Sequence, residues 1–598
     1  LTLLRPSRPT LKRPALRHAR TALLAGFGLL LMGCAQFTAA DSRSPGSVVL
    51  IAAAEGEIAS DALPQGGSAY GSYLAGLYAG QQRDLSAAAD FMLEALADDP
   101  NDEQLLNRAF LLTASDGRLE TAANLAKRLL AIDPKQSLAA LVETVDAIHR
   151  GAFKEAESLL VGLPDRGLTT VTGPLLLAWI HSAEGDLPGA LKAIQALGDK
   201  DGFGVLYNLH VGLLNDLAGE KAAARAAYEK ALETAGQPSM RLVWLVGNFY
   251  ERSGDAAAAK KLFTDFQANN PDSYAIGWEL DRLERGGAPT PSIASASDGA
   301  AEALFNMASL LSQERAEEVA LIHAHLALLL RPGFEVAQIL VGEILQGQGR
   351  GEAAIEIYRK IKKDSPFGWP VQLRIAEELE RLGRVDDAVA QLESMADQTP
   401  DRFEALFRLG NLLRGQERFA EAVKAYDRAA ERIPGDERRF WTFYYFRGIA
   451  LERTGDWDRA QADFLHALDL EPEQPLVMNY LAYSWVEKHM NLDRAKKMLV
   501  RAVELRPDDG YIVDSLGWVY YRLGEYDKGV TYLERAVELR PQDSVINDHL
   551  GDAYWRVGRR QEARFQWHRA LSLGPDDDQA VQIKKKIDHG LGEPTENI

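Results

Sequence analysis

The chain has 598 residues, with 67 basic and 86 acidic side chains for a formal charge of −19, and 46% of its residues are hydrophobic. That balance excludes disorder along most of the chain, and it excludes a broadly basic nucleic-acid binder, because phosphate neutralisation needs clustered Lys and Arg. The single cysteine, Cys34, rules out a disulfide framework and a thiolate zinc cluster.

The first 20 residues carry Arg5, Arg8, Lys12, Arg13, Arg17 and Arg20 and no acid, and an apolar run of eleven residues follows over 22–32. A bilayer takes roughly 20 apolar residues, so this run is too short to span one. A basic segment before a short apolar core reads instead as a secretory signal. The run ends in Leu31-Met32-Gly33-Cys34, which resembles the bacterial lipobox, with Met a less usual second residue. The resemblance implies a lipoprotein signal peptide over 1–33, cleavage before Cys34, and lipidation of that cysteine. Ala35 stands where enteric inner-membrane lipoproteins carry Asp, which implies the periplasmic face of the outer membrane. Residues 34–68, rich in Gly, Ser, Ala and Pro, read as a flexible tether. Its one apolar run is Val48-Val49-Leu50-Ile51.

Proline spacing organises the rest. Pro332, Pro366, Pro400 and Pro434 are 34 apart, as are Pro507, Pro541 and Pro575, and Pro100 and Pro134. Taking Pro271, Pro366, Pro434 and Pro575 as position 32 of their repeats puts Gly247, Gly342, Gly410 and Gly551 at position 8. Ala259, Ala354, Ala422 and Ala563 then fall at position 20, and Phe263, Tyr358, Tyr426 and Trp567 at position 24. Small residues at 8 and 20 let two helices approach, the aromatic fills the space beside them, and the proline stops the second helix. This pattern resembles the tetratricopeptide repeat. The resemblance implies an all-α solenoid, a right-handed superhelix of about fourteen helix-turn-helix repeats.

Six repeats fall in an N-terminal array over 69–285, those between 137 and 202 departing furthest from the pattern. A Pro/Gly/Ser/Ala-rich stretch over 286–300 reads as a linker. Eight repeats form a C-terminal array over 301–576, and a polar capping helix and tail take 577–598. The interval from Pro434 to Pro472 is 38, so four extra residues loosen one joint, and the aromatic run over 440–446 is expected to fill it.

No HExxH or Walker A motif occurs, and His323 and His325, the closest histidine pair, point apart at i,i+2 on a helix. The sequence therefore supplies no catalytic residue, metal site or cofactor, and the chain reads as a non-enzyme. What remains is the groove. In the resembled superfamily, positions 2, 5, 9, 12 and 13 of the first helix face the concave side. In this chain those slots hold Trp244, Asn248 and Arg252, then Phe407, Asn411 and Arg414, then Tyr445 and Arg453. Further on they hold Trp518, Tyr521 and Arg522, and then Trp555 and Arg556. Arg beside an aromatic suits a peptide carboxylate or an acidic segment; packing between repeats is the alternative for several of them.

Asn479-Tyr480-Leu481-Ala482-Tyr483-Ser484, the stretch from Asp514 to Gly524, and His549-Leu550-Gly551-Asp552-Ala553-Tyr554-Trp555 are similar to one bacterial lipoprotein group. Its members include an outer-membrane adaptor that binds and activates a carboxyl-terminal processing protease and delivers peptidoglycan hydrolases to it. The resemblance implies those protein partners and a lipid anchor, with no nucleic acid. A scaffold for polysaccharide export or for pilus or secretin assembly is the second expectation.

Overall fold

The computed structural model describes residues 68–164, 166–287, 289–435 and 437–592. The readings for 1–33, Cys34, 34–67 and the tail beyond Gly592 lie outside them. Among the described residues there are thirty α-helices and one short 3-10 turn, and twenty-six of the helices pair into thirteen hairpins within the two units. None of these helices is long and apolar enough to cross a membrane. The chain divides into two compact units, the first ending at Glu378 and the second starting at Leu379.

The first unit opens with six hairpins: Ala69–Gln81 with Leu85–Asp98, Glu103–Ser115 with Leu119–Ile132, Ser137–His149 with Phe153–Val161, Thr169–Ala183 with Leu187–Gly198, Gly204–Leu217 with Lys221–Ala235, and Met240–Arg252 with Ala256–Asn269. A single helix, Tyr274–Glu284, precedes the hairpins Ala296–Gln313 with Glu317–Leu330 and Glu335–Gly347 with Gly351–Tyr358. The second unit holds Val385–Gln398, then Glu404–Gly415 with Phe419–Ala430, Trp441–Arg453 with Trp457–Leu470, Pro475–Glu487 with Leu492–Leu505, Gly510–Arg522 with Tyr526–Leu539, and Ser544–Arg556 with Arg560–Ser572, closed by Asp577–His589.

Local chemistry sets these boundaries. Asp102, Ser239 and Asp543 each accept a backbone N–H of the first turn that follows them, which satisfies one of the donors a helix start leaves open. The turn inside each hairpin needs one left-handed residue; Gly455 supplies it at φ 84°, and Glu417 takes the same conformation at φ 58°. Where a hairpin carries both, the glycine at position 8 lies directly under the aromatic at position 24. A methyl on Gly410 would overlap the Tyr426 ring, and one on Gly551 would overlap Trp567. Tyr426, Phe464 and Trp567 are fully buried as a result. At the loosened joint, the turn Arg438–Phe440 buries Phe440, Phe443 follows it into the core, and Trp441 and Tyr444 are half-buried around it.

The stretch expected as a linker proves shorter and has a different job. Ser295 accepts the Asp298 N–H at 3.1 Å and donates to the Asp298 carboxylate at 3.0 Å, so a helix begins at Ala296. Residues 289–295 therefore belong to a connection inside the first unit, and the division between units falls at 378/379. The hairpin that follows this connection folds back across first helices of earlier repeats. Helix Ala296–Gln313 packs on Thr169–Ala183 and Gly204–Leu217, and Glu317–Leu330 packs on Glu103–Ser115 and Ser137–His149. Gly299 makes the approach possible, because any side chain there would overlap Trp179.

Candidate functional site

In the first unit, the concave slots are taken up by the protein itself. Trp244 stacks on Phe367 with ring centres 5.1 Å apart. The Asn248 amide donates to the Thr290 carbonyl at 2.8 Å, and Arg331 donates to the Ser292 carbonyl at 2.9 Å. The connection over 289–292 thus lies in the groove as an extended strap. Arg252 pairs with Asp216 and donates to the Asn248 oxygen at 2.8 Å. A cleft of about 380 Å³ remains beside the strap, between Trp244, Trp278 and Phe334.

The fold-back is fastened by buried charge. Glu302 is completely buried and accepts two bonds from Arg241, at 3.1 and 2.5 Å, and one from Asn306 at 3.1 Å. Burial alone would raise the Glu302 carboxyl, but the Arg241 charge and its hydrogen bonds hold it below its ordinary range. Next to it, burial drives His210 down to about 4, so the neutral ring accepts the Trp179 indole N–H at 3.1 Å.

In the second unit, the expected residues form two clusters. Phe407 packs among Tyr426, Phe443 and Phe446. Asn411 accepts the Tyr426 hydroxyl at 2.8 Å, and the Arg414 guanidinium lies 4.6 Å over Phe446. Tyr445 meets Tyr480 edge-on at 6.1 Å, and the exposed Arg453 covers Phe419 at 4.5 Å. The other cluster lies toward the C-terminus. Trp518 stacks between Tyr521 at 4.7 Å and His549 at 4.0 Å, and its indole donates to Glu487 at 2.7 Å. Arg522 reaches Glu487 at 3.4 Å and the His489 ring at 2.6 Å. Trp555 donates to the Leu591 carbonyl at 3.2 Å and Arg556 to the Gly592 carbonyl at 2.7 Å, so the segment after the capping helix covers both.

Beside the Trp518 stack lies a cleft of about 330 Å³, lined by side chains of four successive first helices and by Lys488. Tyr480, Tyr483 and Tyr511 form its apolar body, and Glu452, Glu487 and Asp514 its acidic edge. The Asn479 amide oxygen is buried there without a hydrogen-bond partner. Tyr480, Ser484 and Glu487 occupy slots 5, 9 and 12 of the repeat ending at Pro507. The slot rule reaches them, whereas a search for arginine beside an aromatic passes them over.

His549 sits under Trp518, and its Nδ1 lies 3.0 Å from the Asp514 carboxylate. Burial would lower the imidazole, but Asp514, with Asp548 and Asp552 further off, outweighs it and raises His549 above its ordinary 6.5. The folded protein therefore holds this proton at pH values where the unfolded chain has released it. The stabilisation is complete below about pH 6.5 and is lost as pH rises through the raised value. The fall in melting temperature from pH 5.5 to 8.5 is expected to be smaller in His549→Gln than in the parent, as read by circular dichroism.

These features define a class: a solenoid of helical hairpins, with one groove crossed by its own chain and a tyrosine-lined cleft in the second unit. Tetratricopeptide-repeat family models match residues 373–437 and 513–543, and the fold is an all-α solenoid of hairpins of that kind. It is 25% identical over 199 residues to the TPR repeat-containing protein PA4667 of Pseudomonas aeruginosa. That stretch is 33% of this chain and 33% of the relative, so the chain matches a third of the relative's length. Among solved structures, the Cut9–Hcn1 hetero-tetramer of the APC/C is 14% identical with a TM-score of 0.36, covering 87% of this chain and 96% of that one. Yeast Tom70 is 14% identical with a TM-score of 0.28, covering 87% and 95%.

Proposed function

We propose that the protein is a non-enzymatic scaffold, lipid-anchored through Cys34 at the periplasmic face of the outer membrane. Its second unit holds a carboxyl-terminal processing protease in the tyrosine-lined cleft, and the complex presents peptidoglycan hydrolases to that protease. The observation that carries partner binding is the contrast between the grooves. The first is crossed by residues 289–292, held through Asn248 and Arg331. The second leaves Tyr480, Tyr483 and Tyr511 facing a cleft with an unpartnered amide oxygen at its wall. Aromatic side chains of this kind are the usual anchors of protein interfaces. The anchor rests on the lipobox resemblance, and the protease partner on the motifs around Asn479, Asp514 and His549. Tethering raises the effective concentration of a bound partner at the envelope without any new contact.

The test is affinity capture of the tagged full chain from gently solubilised envelopes, with the retained proteins identified by mass spectrometry. A processing protease accompanied by wall hydrolases, and lost from Tyr483→Arg, is the expected result. Export, pilus or secretin components without any protease would move the function to envelope assembly.

A further inference from the structure

We infer that the first unit carries a binding site for a single-chain hydroxylated fatty acid, apart from the two clefts described above. The site lies where the repeat pattern is weakest. The second helix Phe153–Val161 has nine residues against fourteen in Leu119–Ile132, and a cleft of about 590 Å³ opens beside it. That volume suits a small ligand. Leu141, Leu160, Leu163 and Leu168 wall the cleft, with Val319 opposite. Gly173 leaves part of it empty, since a side chain there would meet nothing within 4 Å. Pro174 follows inside the helix and, lacking an N–H, leaves the Thr170 carbonyl without its helical donor.

The floor is polar and unsatisfied. His323 is fully buried, and its Nδ1 donates to the Val319 carbonyl at 2.8 Å. The other ring nitrogen, Nε2, is an acceptor with no partner, as are the Thr172 hydroxyl and the Gln136 amide oxygen, both of which also line the cleft. Burial pushes His323 down to about 4, so the ring stays neutral. Buried groups without partners are rare in folded proteins, and three around one apolar cleft call for a hydroxyl. At the rim stand the exposed cations Lys135 and Arg166, with Asp133 the one acid among the described lining residues. An alkyl chain against the leucines, a hydroxyl donating to His323 Nε2 and a carboxylate at Lys135 and Arg166 match the walls, the histidine and the rim.

The experiment is calorimetric titration of the full chain with 12-hydroxydodecanoate and with dodecanoate, both below their micellar concentrations. The hydroxylated acid is expected to bind one-to-one and about tenfold more tightly than its plain analogue, although it is less apolar. Gly173→Leu fills the empty space and abolishes binding of both. His323→Phe keeps dodecanoate binding and removes the preference for the hydroxyl. Absence of saturable binding, equal affinity for the two acids, or undiminished binding by Gly173→Leu overturns the assignment.

Discussion

Arg241→Met is expected to destabilise the first unit by about 3–5 kcal/mol, because it strands the Glu302 carboxylate in a fully buried position. Glu302 has no exposed surface, and its one cationic hydrogen-bond donor among the described residues is Arg241, which lies 61 residues earlier. That pair fastens the fold-back hairpin to the repeats it crosses. Loss of amide protection should therefore concentrate in Ala296–Gln313 and Glu317–Leu330, read by hydrogen exchange, while Ser544–Arg556 keeps its protection. Replacing both partners, Arg241→Met with Glu302→Met, is expected to recover most of the loss, since the unpaired charge is then gone. Equal destabilisation by the single and double changes would show that shape, not charge, holds the hairpin.

Trp567→Ala should cost the second unit about 3–5 kcal/mol through the cavity left behind. Trp567 is completely buried above Gly551, packs 5.4 Å from Trp555, and donates to the Asp552 carboxylate at 2.9 Å. Asp552 also accepts from Lys586 at 2.8 Å, and Asp548 does so at 2.7 Å, so the same position secures the capping helix Asp577–His589. In a linear array each hairpin depends chiefly on its neighbours. Exchange protection is expected to fall first in Ser544–Arg556, Arg560–Ser572 and Asp577–His589, with Glu404–Gly415 little changed. Trp567→Phe should lose less than half as much. A uniform loss over the whole unit would contradict the local coupling.

Much of this fold was legible because a repeat writes its packing into spacing. The 34-residue proline interval marks where second helices stop, and the glycine at position 8 and aromatic at position 24 are the two sides of one contact, as Gly410 and Tyr426 show. The same spacing describes only neighbours. It carries no mark of Trp179 meeting Gly299 or of Arg241 meeting Glu302, so the fold-back was invisible, and the Ala- and Ser-rich start of helix Ala296–Gln313 read as linker. The groove residues teach a related lesson. A slot tells which face a side chain occupies and leaves its partner open. Arg252 is engaged by Asp216 and Arg522 by Glu487, 36 and 35 residues earlier. That separation is about one repeat, so an acid one period upstream of each arginine was the available signal. Tyr483 and Tyr511, beside the open cleft, carried no neighbouring arginine to draw notice.

The measurement that reaches the central claim most directly is site-specific photo-crosslinking in the native envelope. A photoreactive amino acid is placed at Tyr483 in the open cleft or at Trp244 beside the occupied groove, each in the full chain. Adducts to a protein partner from position 483, with few or none from 244, are the expected result. Adducts from 244 alone, or in equal yield from both, would contradict the assignment of the second unit as the partner-holding surface.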